Sequence, residues 1–311
     1  MLGVNDEVAE FSMDVLRTPD DRFADLSGYD FTPNYVDDLR GYEGLRVHYV
    51  SVGSDDAEKV FLCLPGEPTW AYLYRRMVPA FAESGARVVV PDWLGFGRSD
   101  KPIDDHVYSF DFHRNMMLAF IERLDLQNVT LVVQDWGGIL GLTLPMDMQS
   151  RFSRLIVMNT AIPVGESLGD GFQSWKDYVA SRPDMDCGAL MQRACPHLSG
   201  AEAQAYEAPF PDQRYKAGVR RFPQLVMIEP GMSGIETAKR ARRFWSTEWT
   251  GESFMAIGAK DPVLGPRVMT MLRDTINGCP EPLILEDAGH FVQEWGEPVA
   301  RAALVHFGDL A

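Results

Sequence analysis

The segment Val132–Gly138 (VVQDWGG) places an aspartate where a buried strand turns sharply into a helix. Two glycines stand at the second and third positions after Asp135, and they let neighbouring backbone pass close to the turn. Such a turn lifts the central side chain clear of the sheet, and the start of a helix favours an anion there. We therefore predict that Asp135 is a nucleophile, with an ordinary helix-capping aspartate as the alternative.

A histidine and a second aspartate follow two later predicted strands. His290 lies in Asp287–Phe291, just past the strand Leu283–Leu285, and Asp261 follows the strand Phe254–Ile257. Functional groups gather at the carboxyl ends of strands in open α/β sheets. The sequence therefore predicts that His290 is a base and that Asp261 accepts its other ring N–H. A packed or solvated histidine and a turn-capping aspartate are the alternatives.

The residue after the strand Leu155–Met158 occupies a second position at which an acid could stand. It is Asn159, which cannot carry a charge, and this favours Asp261 as the acid. The backbone N–H of Glu67, in the loop after Val60–Leu64, could pair with that of Trp136 to form an oxyanion hole. Glycine and proline punctuation of an ordinary loop is the alternative there.

Two tryptophans suggest what leaves when the aspartate attacks. Trp136 follows the nucleophile directly, and Trp175 lies in a segment expected to cover the site. An indole N–H donates a hydrogen bond but accepts none, so two of them converging on one point would form a neutral clamp for a halide. The alternative is that Trp175 belongs to the core of its own segment.

An aspartate nucleophile displaces a leaving group from an sp³ carbon and leaves an alkyl ester on the enzyme. Carbon–halogen bonds and epoxides are the plausible electrophiles, and the ester then needs a water that a base such as His290 activates. An epoxide oxygen must be protonated as it leaves, commonly by tyrosines. Trp175 favours a halide, whereas Tyr178, Tyr206 and Tyr215 keep the epoxide interpretation open.

Apolar, β-branched runs alternate with amphipathic segments, which predicts a parallel sheet with helical crossovers. The predicted strands are Val60–Leu64, Arg87–Val90, Val129–Val133, Leu155–Met158, Phe254–Ile257 and Leu283–Leu285, with Leu45–Val52 as an antiparallel edge strand. The predicted helices are Tyr72–Glu83, Phe110–Arg123, Gly138–Met148, Arg267–Ile276 and Pro298–Phe307.

The region 161–229 breaks this alternation, since it is rich in Pro, Gly and aromatic residues and lacks a convincing buried strand. We predict that it is a helical cap domain, and that residues 1–160 and 230–311 form the core domain. Residues 1–12 are acidic and patternless, which predicts a mobile tail, with Met13 as an alternative start.

The chain has 311 residues and a net charge of −16, which argues against binding to nucleic acid or to an anionic membrane surface. No stretch is long and apolar enough to span a bilayer, and the N-terminus lacks a signal-peptide pattern. The four cysteines follow no metal-ligand spacing, and we expect them to be reduced. We therefore expect a cytoplasmic monomer that uses neither a metal nor a cofactor.

Three segments resemble the haloalkane dehalogenases: Val132–Gly138, Pro91–Pro102 (PDWLGFGRSDKP) and Asp287–Glu294 (DAGHFVQE). The resemblance runs from about Arg17 to the C-terminus. Within the family, the sequence most resembles one subfamily. In that subfamily the catalytic acid follows the strand after the cap, and the second halide-binding tryptophan lies in the cap. It implies an α/β-hydrolase fold, with a mostly parallel eight-stranded sheet flanked by helices and a helical cap inserted after strand 6.

The resemblance also implies an activity and a set of residues. A short haloalkane and water would give a primary alcohol and halide. Asp135 would be the nucleophile, His290 the base, Asp261 the acid, and Trp136 and Trp175 the halide ligands. The amides of Glu67 and Trp136 would form the oxyanion hole. Positions that match the pocket wall are Phe172, Phe222, Pro223, Val226, Val263 and Leu264.

Two features depart from the family pattern. Members often have His-Gly where this chain has Pro65-Gly66, and the segment Ala161–Asp170 is short for the beginning of a cap. The oxyanion hole would use the amide of residue 67, so the chemistry should not depend on residue 65. The short cap segment bears on substrate size and on the rate of halide release.

Overall fold

The computed structural model describes residues 13–310, and an eight-stranded sheet forms its centre. The strands are β1 (Pro33–Val36), β2 (Val47–Val52), β3 (Val60–Leu64), β4 (Arg87–Pro91), β5 (Val129–Gln134), β6 (Phe152–Met158), β7 (Glu252–Gly258) and β8 (Leu283–Leu285). Their order across the sheet is β8-β7-β6-β5-β3-β4-β2-β1. Neighbours from β4 to β8 pair in parallel, while β2 is antiparallel to β1 and to β4. The predicted mostly parallel eight-stranded sheet is confirmed.

Successive residues of a central strand enter two separate hydrophobic cores. In β3, Val60, Leu62 and Leu64 belong to one core, and Phe61 and Cys63 belong to the other. Side chains alternate across a strand, so each core covers one face of the sheet. Because both faces are buried, the central strands read as continuous apolar runs in the sequence.

The helices of the described residues cover the sheet and form the segment between β6 and β7. They are α1 (Val78–Glu83), α2 (Phe110–Arg123), α3 (Trp136–Gly141), α4 (Asp170–Ala180), α5 (Cys187–Ala194), α6 (Gly200–Glu207), α7 (Ala217–Leu225), α8 (Ile235–Thr247), α9 (Pro266–Thr275) and α10 (Gly296–His306). The prediction for α2 is confirmed. Ser109 caps its N-terminus, since the hydroxyl of Ser109 accepts a hydrogen bond from the N–H of Phe112 at 3.1 Å.

Two predicted helices are shorter than expected, because a proline interrupts each of them. The helix predicted at Tyr72–Glu83 is a 3-10 turn, Ala71–Tyr74, followed by α1, which has Pro79 in its first turn. The helix predicted at Gly138–Met148 ends before Pro145, where a separate 3-10 turn begins. Proline fits the first turn of a helix but not its interior, since it lacks a backbone N–H and clashes with the preceding turn.

Two further predictions of element positions differ from the structure, and two elements were not predicted. The strand predicted at Leu45–Val52 is not at the edge, because β1 pairs with its outer side. The last helix begins at Gly296, so Pro298 lies inside its first turn. The strand β1 and the helix α8 were not predicted.

The helices α4 to α7 lie within residues 161–229, between β6 and β7. In this segment α4 packs against α7, and α5 packs against α6. The two ends of the segment meet, since the N–H of Gly165 donates to the carbonyl of Met227 at 2.9 Å. The far side of the segment contacts the rest of the chain, where the indole N–H of Trp70 donates to the carbonyl of Ala205 at 3.1 Å.

A buried network of charges joins this segment to the polypeptide that carries His290. Arg75, which is 4% exposed, donates to both carboxylate oxygens of Glu294 at 2.6 and 2.9 Å. The same guanidinium donates to Glu202 of α6 at 3.0 Å, and the hydroxyl of Tyr206, also in α6, donates to Glu294. Glu294, which lies in the turn just after His290, therefore links that turn to the helical segment.

Among residues 13–310, no helix is long and apolar enough to cross a membrane. The same residues contain no group of three or more His, Cys, Asp or Glu side chains placed to hold a metal ion. The predicted mobile tail at residues 1–12 lies outside the described part of the chain.

Candidate active site

Asp135 follows the fully buried strand β5 and stands in a conformation that side chains rarely adopt. Its φ is 50° and its ψ is −126°, which places a non-glycine residue in the left-handed region. Such a conformation costs of order 1–3 kcal/mol and persists only where the surroundings enforce it. The N–H of Asp135 donates to the carbonyl of Asn159 at 3.0 Å, and the hydroxyl of Thr160 donates to the carbonyl of Asp135 at 2.7 Å.

The glycines next to Asp135 are required by close packing at the ends of β3 and β5. A Cβ atom on Gly137 would collide with the carbonyl of Leu64, and one on Gly66 would come within 2.8 Å of Asp135 Oδ2. A Cβ atom on Gly138 would likewise collide with the side chain of Thr160, so close packing explains both glycines that marked the turn in the sequence. The result is a carboxylate held at the carboxyl end of the sheet, where it faces a cavity.

His290 and Asp261 meet behind this carboxylate. The Nδ1 atom of His290 lies 2.7 Å from Asp261 Oδ2, and its Nε2 atom lies 3.4 Å from Asp135 Oδ1. The amide of Asn159 donates to Asp261 Oδ2 at 2.9 Å, and the N–H groups of Val263 and Leu264 donate to Asp261 Oδ1 at 2.9 and 3.1 Å. Asp261 is thus fixed by four hydrogen-bond partners, and the structure brings the three predicted triad residues together.

The charges of Asp261, His290 and Asp135 shift the pKa values of Asp261 and His290. Burial acts to raise the pKa of Asp261, but the charge of His290 and the hydrogen bonds lower it to about 2. Burial acts to lower the pKa of His290, but the charges of Asp261 and Asp135 and their hydrogen bonds raise it to about 10. While both carboxylates are charged, His290 therefore tends to keep its proton.

Gln134, the last residue of β5, also contacts His290. Its amide nitrogen lies 2.9 Å from His290 Nε2 and 3.1 Å from the carbonyl of His290, and its oxygen accepts from Gln293 at 3.3 Å. An amide N–H facing Nε2 favours the neutral ring, which opposes the effect of the two carboxylates. The full charges outweigh this dipole, so the net effect on the pKa of His290 is upward.

The loop after β3 brings a backbone donor to Asp135. The N–H of Glu67 donates to Asp135 Oδ2 at 2.9 Å. Trp136 is the first residue of α3, so its N–H has no acceptor within the helix and is available to the same carboxylate. The carbonyl of Pro65 accepts from the indole N–H of Trp93 at 2.7 Å, which fixes the loop at this position.

The cavity in front of Asp135 has a volume of about 630 Å³. Residues of the triad, of the loop after β3 and of α4, α5 and α7 surround it. Its lining includes these predicted site residues: Glu67, Asp135, Trp136, Phe172, Trp175, Pro223, Val226, Asp261, Val263, Leu264 and His290. The chain also lines it with residues that were not predicted: Ile139, Leu168, Gly171, Leu190, Arg193, Ala194, Pro196, Lys260, Pro262, Asp287, Gly289 and Phe291.

Phe222 is the one predicted wall residue that does not border the cavity. Its side chain is fully buried, and its ring centroid lies 4.5 Å from that of Trp136 and 4.7 Å from that of Phe96. Phe222 therefore supports the indole of Trp136 from behind. Hydrophobic character alone does not distinguish a residue of the wall from one packed directly behind it.

The three tyrosines that kept the epoxide interpretation open do not border the cavity. Tyr178 stacks on Trp175 with ring centroids 5.9 Å apart, and its hydroxyl accepts from Arg193 at 2.9 Å. Tyr206 is buried against Glu294. Among the described residues, no phenol hydroxyl lines the pocket to protonate an epoxide oxygen.

Three residues of the site were not predicted to have a role. Gln134 was visible within the motif, but its contact with His290 depends on how β5 and the loop after β8 meet. Asn159 was considered only as a position for the acid and was excluded because it carries no charge. In the structure its amide donates to Asp261 and positions it. Arg193, at the end of α5, reaches the cavity with no signal in the sequence.

Comparisons with known proteins agree with this geometry. A family model described as alpha/beta hydrolase fold matches residues 59–297. A haloalkane dehalogenase of Psychrobacter cryohalolentis is 42% identical over 302 residues, which cover 95% of this chain and 98% of that protein. Haloalkane dehalogenase 1 of Mycobacterium bovis is 39% identical, over 91% of this chain and 94% of its own length.

A solved structure is similar over the same extent. The tetrameric haloalkane dehalogenase DpaA from Paraglaciecola agarilytica NO2 is 53% identical and has a TM-score of 0.92, and the match covers 94% of this chain and 98% of that one. The fold and the family model first define a hydrolase of the α/β-hydrolase fold. The relatives then define the particular family: the chain belongs to the haloalkane dehalogenases, which are hydrolases acting on carbon–halide bonds.

Proposed function

We propose that this protein hydrolyses the carbon–halogen bond of short haloalkanes to a primary alcohol and halide, without a cofactor. The observation that carries the proposal is the Asp135 carboxylate, which faces an apolar cavity bordered by Trp136 and Trp175 and backed by His290. An epoxide hydrolase on the same fold is not favoured, because the phenol hydroxyls expected for that reaction do not line the cavity.

In the first step, an oxygen of Asp135 attacks the carbon that bears the halogen. The new carbon–oxygen bond forms as the carbon–halogen bond breaks, and the halogen leaves with the bonding electrons as halide. The indole N–H groups of Trp136 and Trp175 donate to the halide in an apolar site, where such donors act more strongly than in water. The charge of Asp135 is lost, and a neutral alkyl ester remains.

In the second step, water attacks the carbonyl carbon of this ester. His290 Nε2 takes a proton from the water, and Asp261 stabilises the resulting imidazolium. The N–H groups of Glu67 and Trp136 hold the negative oxygen of the tetrahedral intermediate. Collapse of the intermediate breaks the bond between the ester oxygen and the carbonyl carbon, and the alcohol takes the proton from His290. Alcohol, halide and one proton are the products.

The covalent route has a direct isotopic test. In a single turnover in ¹⁸O-water, the alcohol should contain ¹⁶O from Asp135, while the aspartate acquires ¹⁸O. The variant His290→Gln should accumulate the alkyl ester, which mass spectrometry detects as a heavier protein. If ¹⁸O appears in the alcohol of the first turnover, water attacks the substrate directly and the proposed mechanism is wrong.

The leaving group has a separate test. Incubation with 1-bromobutane and with styrene oxide should give bromide release and no diol. The variant Asp135→Asn is the matched control, since it keeps the shape of the site and removes the nucleophile. Turnover of the epoxide without release of bromide would favour the epoxide hydrolase instead.

We also propose the organisation and setting of the enzyme. Residues 161–229 form the cap, and 1–160 with 230–311 form the core, which is supported by the hydrogen bond that closes the ends of the inserted segment. A cytoplasmic location is supported by four cysteines that form no disulfide. We expect a monomer, and the alternative is a tetramer like that of DpaA. Light scattering would distinguish the two, because the measured mass would be that of one chain or of four.

A further inference from the structure

The cavity has a buried end and an open end. At the buried end, Asp135 shares the cavity with Ile139 and Phe172, which are 3% and 6% exposed. The open end includes four exposed residues of the lining, which we call the mouth: Arg193, Pro196, Lys260 and Asp287. Because the halogen-bearing carbon must reach Asp135, the other end of a longer substrate would lie towards the mouth.

Three of the four mouth residues are charged, and two of them neutralise each other. Lys260 donates to Asp287 at 2.9 Å, in a pair whose side chains are 61% and 88% exposed. The third is Arg193, whose guanidinium donates to the hydroxyl of Tyr178 at 2.9 Å. No carboxylate of the described residues forms an ion pair with Arg193. The mouth therefore carries one uncompensated positive charge.

Tyr178 fixes the place of this charge. It lies in α4, and its ring stacks on that of Trp175, another residue of the cavity lining, with centroids 5.9 Å apart. The guanidinium of Arg193 lies 6.0 Å from the centroid of the Tyr178 ring, in addition to its hydrogen bond with the hydroxyl. Contacts with α4 thus hold Arg193, at the end of α5, beside the cavity. A group held in place before binding loses less entropy when it pairs with a ligand.

An uncompensated arginine is unexpected in so acidic a chain, which has 45 Asp and Glu residues against 29 Lys and Arg residues. The net charge of −16 opposes the approach of an anion from a distance, and Arg193 is a local exception at the entrance to the site. The planar guanidinium matches a carboxylate, because its N–H groups can donate to both oxygens at once. A carboxylate is therefore the ligand group that fits the mouth.

The cavity is larger than a short haloalkane requires. Its volume of about 630 Å³ falls within the range of pockets that hold drug-sized ligands. If each non-hydrogen atom needs about the 30 Å³ that a water molecule has in the liquid, 1-bromobutane needs roughly 150 Å³ and 6-bromohexanoate roughly 270 Å³. The lining also includes the apolar side chains of Leu168, Leu190 and Val226, which suit a chain of methylene groups.

We propose that Arg193 makes ω-haloalkanoates substrates of this enzyme, with the halogen-bearing carbon at Asp135 and the carboxylate at Arg193. The inference rests on the proposed function and extends it from short haloalkanes to longer chains with an anionic end. The bonds that form and break are unchanged. The products are an ω-hydroxyalkanoate, halide and one proton, and the carboxylate of the substrate keeps its charge throughout.

The test compares kcat/KM for 6-bromohexanoate with that for 6-bromohexanamide, which has the same chain without the charge. Arg193→Met should lower the ratio of acid to amide by about 1.5- to 5-fold, the effect of losing one exposed ion pair. The substitution also removes the hydrogen bond to Tyr178. Any disturbance of Trp175 that follows affects both substrates alike, so the ratio does not contain it.

Two further variants separate a specific contact from the general field of the protein. Arg193→Lys keeps the charge and should retain most of the native ratio. Arg182→Met is the matched control, because Arg182 also stacks on Tyr178, at 4.0 Å, but does not border the cavity. Its ratio should equal the native one. Sodium sulfate, which adds no halide, should lower the native ratio by screening and should leave that of Arg193→Met almost unchanged.

Three results would overturn the inference while the proposed function stands. The first is an equal ratio in Arg193→Met and the native enzyme, and the second is an equal fall in Arg182→Met. The third is weaker inhibition of Arg193→Met by sodium bromide together with an unchanged ratio, which would assign the charge to the departing halide. If the native protein releases no bromide from 1-bromobutane, the proposed function itself fails.

Discussion

Replacing Asp135 by asparagine should lower the pKa of His290, because it removes one of the two negative charges that hold the proton on the ring. The native atoms concerned, His290 Nε2 and Asp135 Oδ1, are 3.4 Å apart. The Asp135→Asn variant keeps the size of the side chain and has the same charge as the alkyl ester. It therefore reproduces the electrostatic state of the enzyme after the first chemical step.

The size of the effect follows from the distance. Two unit charges 3.4 Å apart interact by about 5 kcal/mol at an effective dielectric constant of ~20, which corresponds to about 3 to 4 pKa units. The side chain of His290 retains 22% exposure, and water screens part of this interaction. An opposite charge at such a distance typically shifts a pKa by about 1–3 units, so we expect a fall in that range from the native value of about 10.

The assay is an NMR titration of protein labelled in its histidine rings, with His290→Gln to assign the resonance. Asp287→Asn is a matched control, because Asp287 lies in the same loop but its carboxylate is 88% exposed and is paired with Lys260. Its removal should shift His290 far less. An unchanged midpoint for His290 in Asp135→Asn would refute the reasoning.

If the shift is found, formation of the ester has a consequence for the second step. The loss of the charge on Asp135 lowers the affinity of His290 for its proton, and the ring becomes a base at the point where water must be activated. The amide of Gln134 fits this neutral state, since in the observed orientation its N–H group faces Nε2 and also donates to the carbonyl of His290.

Other consequences of the structure can be measured directly. Trp175→Phe should reduce the turnover of chloroalkanes more than that of iodoalkanes, because chloride is the poorer leaving group and needs more stabilisation. Trp295→Phe, which lies outside the cavity, is the control. Equal losses for the two halogens, or the same pattern in the control, would contradict the role of Trp175 as a halide ligand. Asn159→Ala should lower the free energy of unfolding by about 1–3 kcal/mol in urea titrations, since it leaves buried partners unsatisfied. Arg75→Met should lower the free energy of unfolding by about 1–3 kcal/mol in the same assay, because buried Glu294 loses one of its two arginine partners and keeps only Arg76. A stability equal to that of the native protein would refute this.

The triad could be predicted because its signals are local. Asp135 directly follows the buried strand β5, Asp261 lies in the turn after β7, and His290 lies in the loop after the short, partly exposed strand β8. Parallel strands bring their carboxyl ends to the same edge of a sheet. The close approach that requires glycine at position 137 also leaves its mark in the sequence. Chemistry that depends on strand ends and tight turns is therefore visible without the structure.

The parts that were missed depend on contacts between distant segments or on weak patterns. Phe222 and Val226 have similar apolar character, and only the packing of α7 decides that the second borders the cavity and the first does not. The helix α8 has a weak hydrophobic pattern in the sequence, because the small residues Ala238 and Ala241 occupy two of its buried positions. The strand β1 has only four residues and begins with a proline, so it lacks the length of an ordinary strand signal.

The hydrogen bond between Gly165 and Met227 makes the proposed cap, residues 161–229, a cassette with a fixed attachment point. When the two ends of an inserted segment are held together, doubling its length costs only about 0.6 kcal/mol of chain entropy. Lineages can therefore lengthen, shorten or exchange the cassette at little thermodynamic cost. Phe172 and Trp175 lie inside it, whereas the groups that make and break bonds lie outside. Substrate preference and reaction chemistry can accordingly diverge at different rates within one chain.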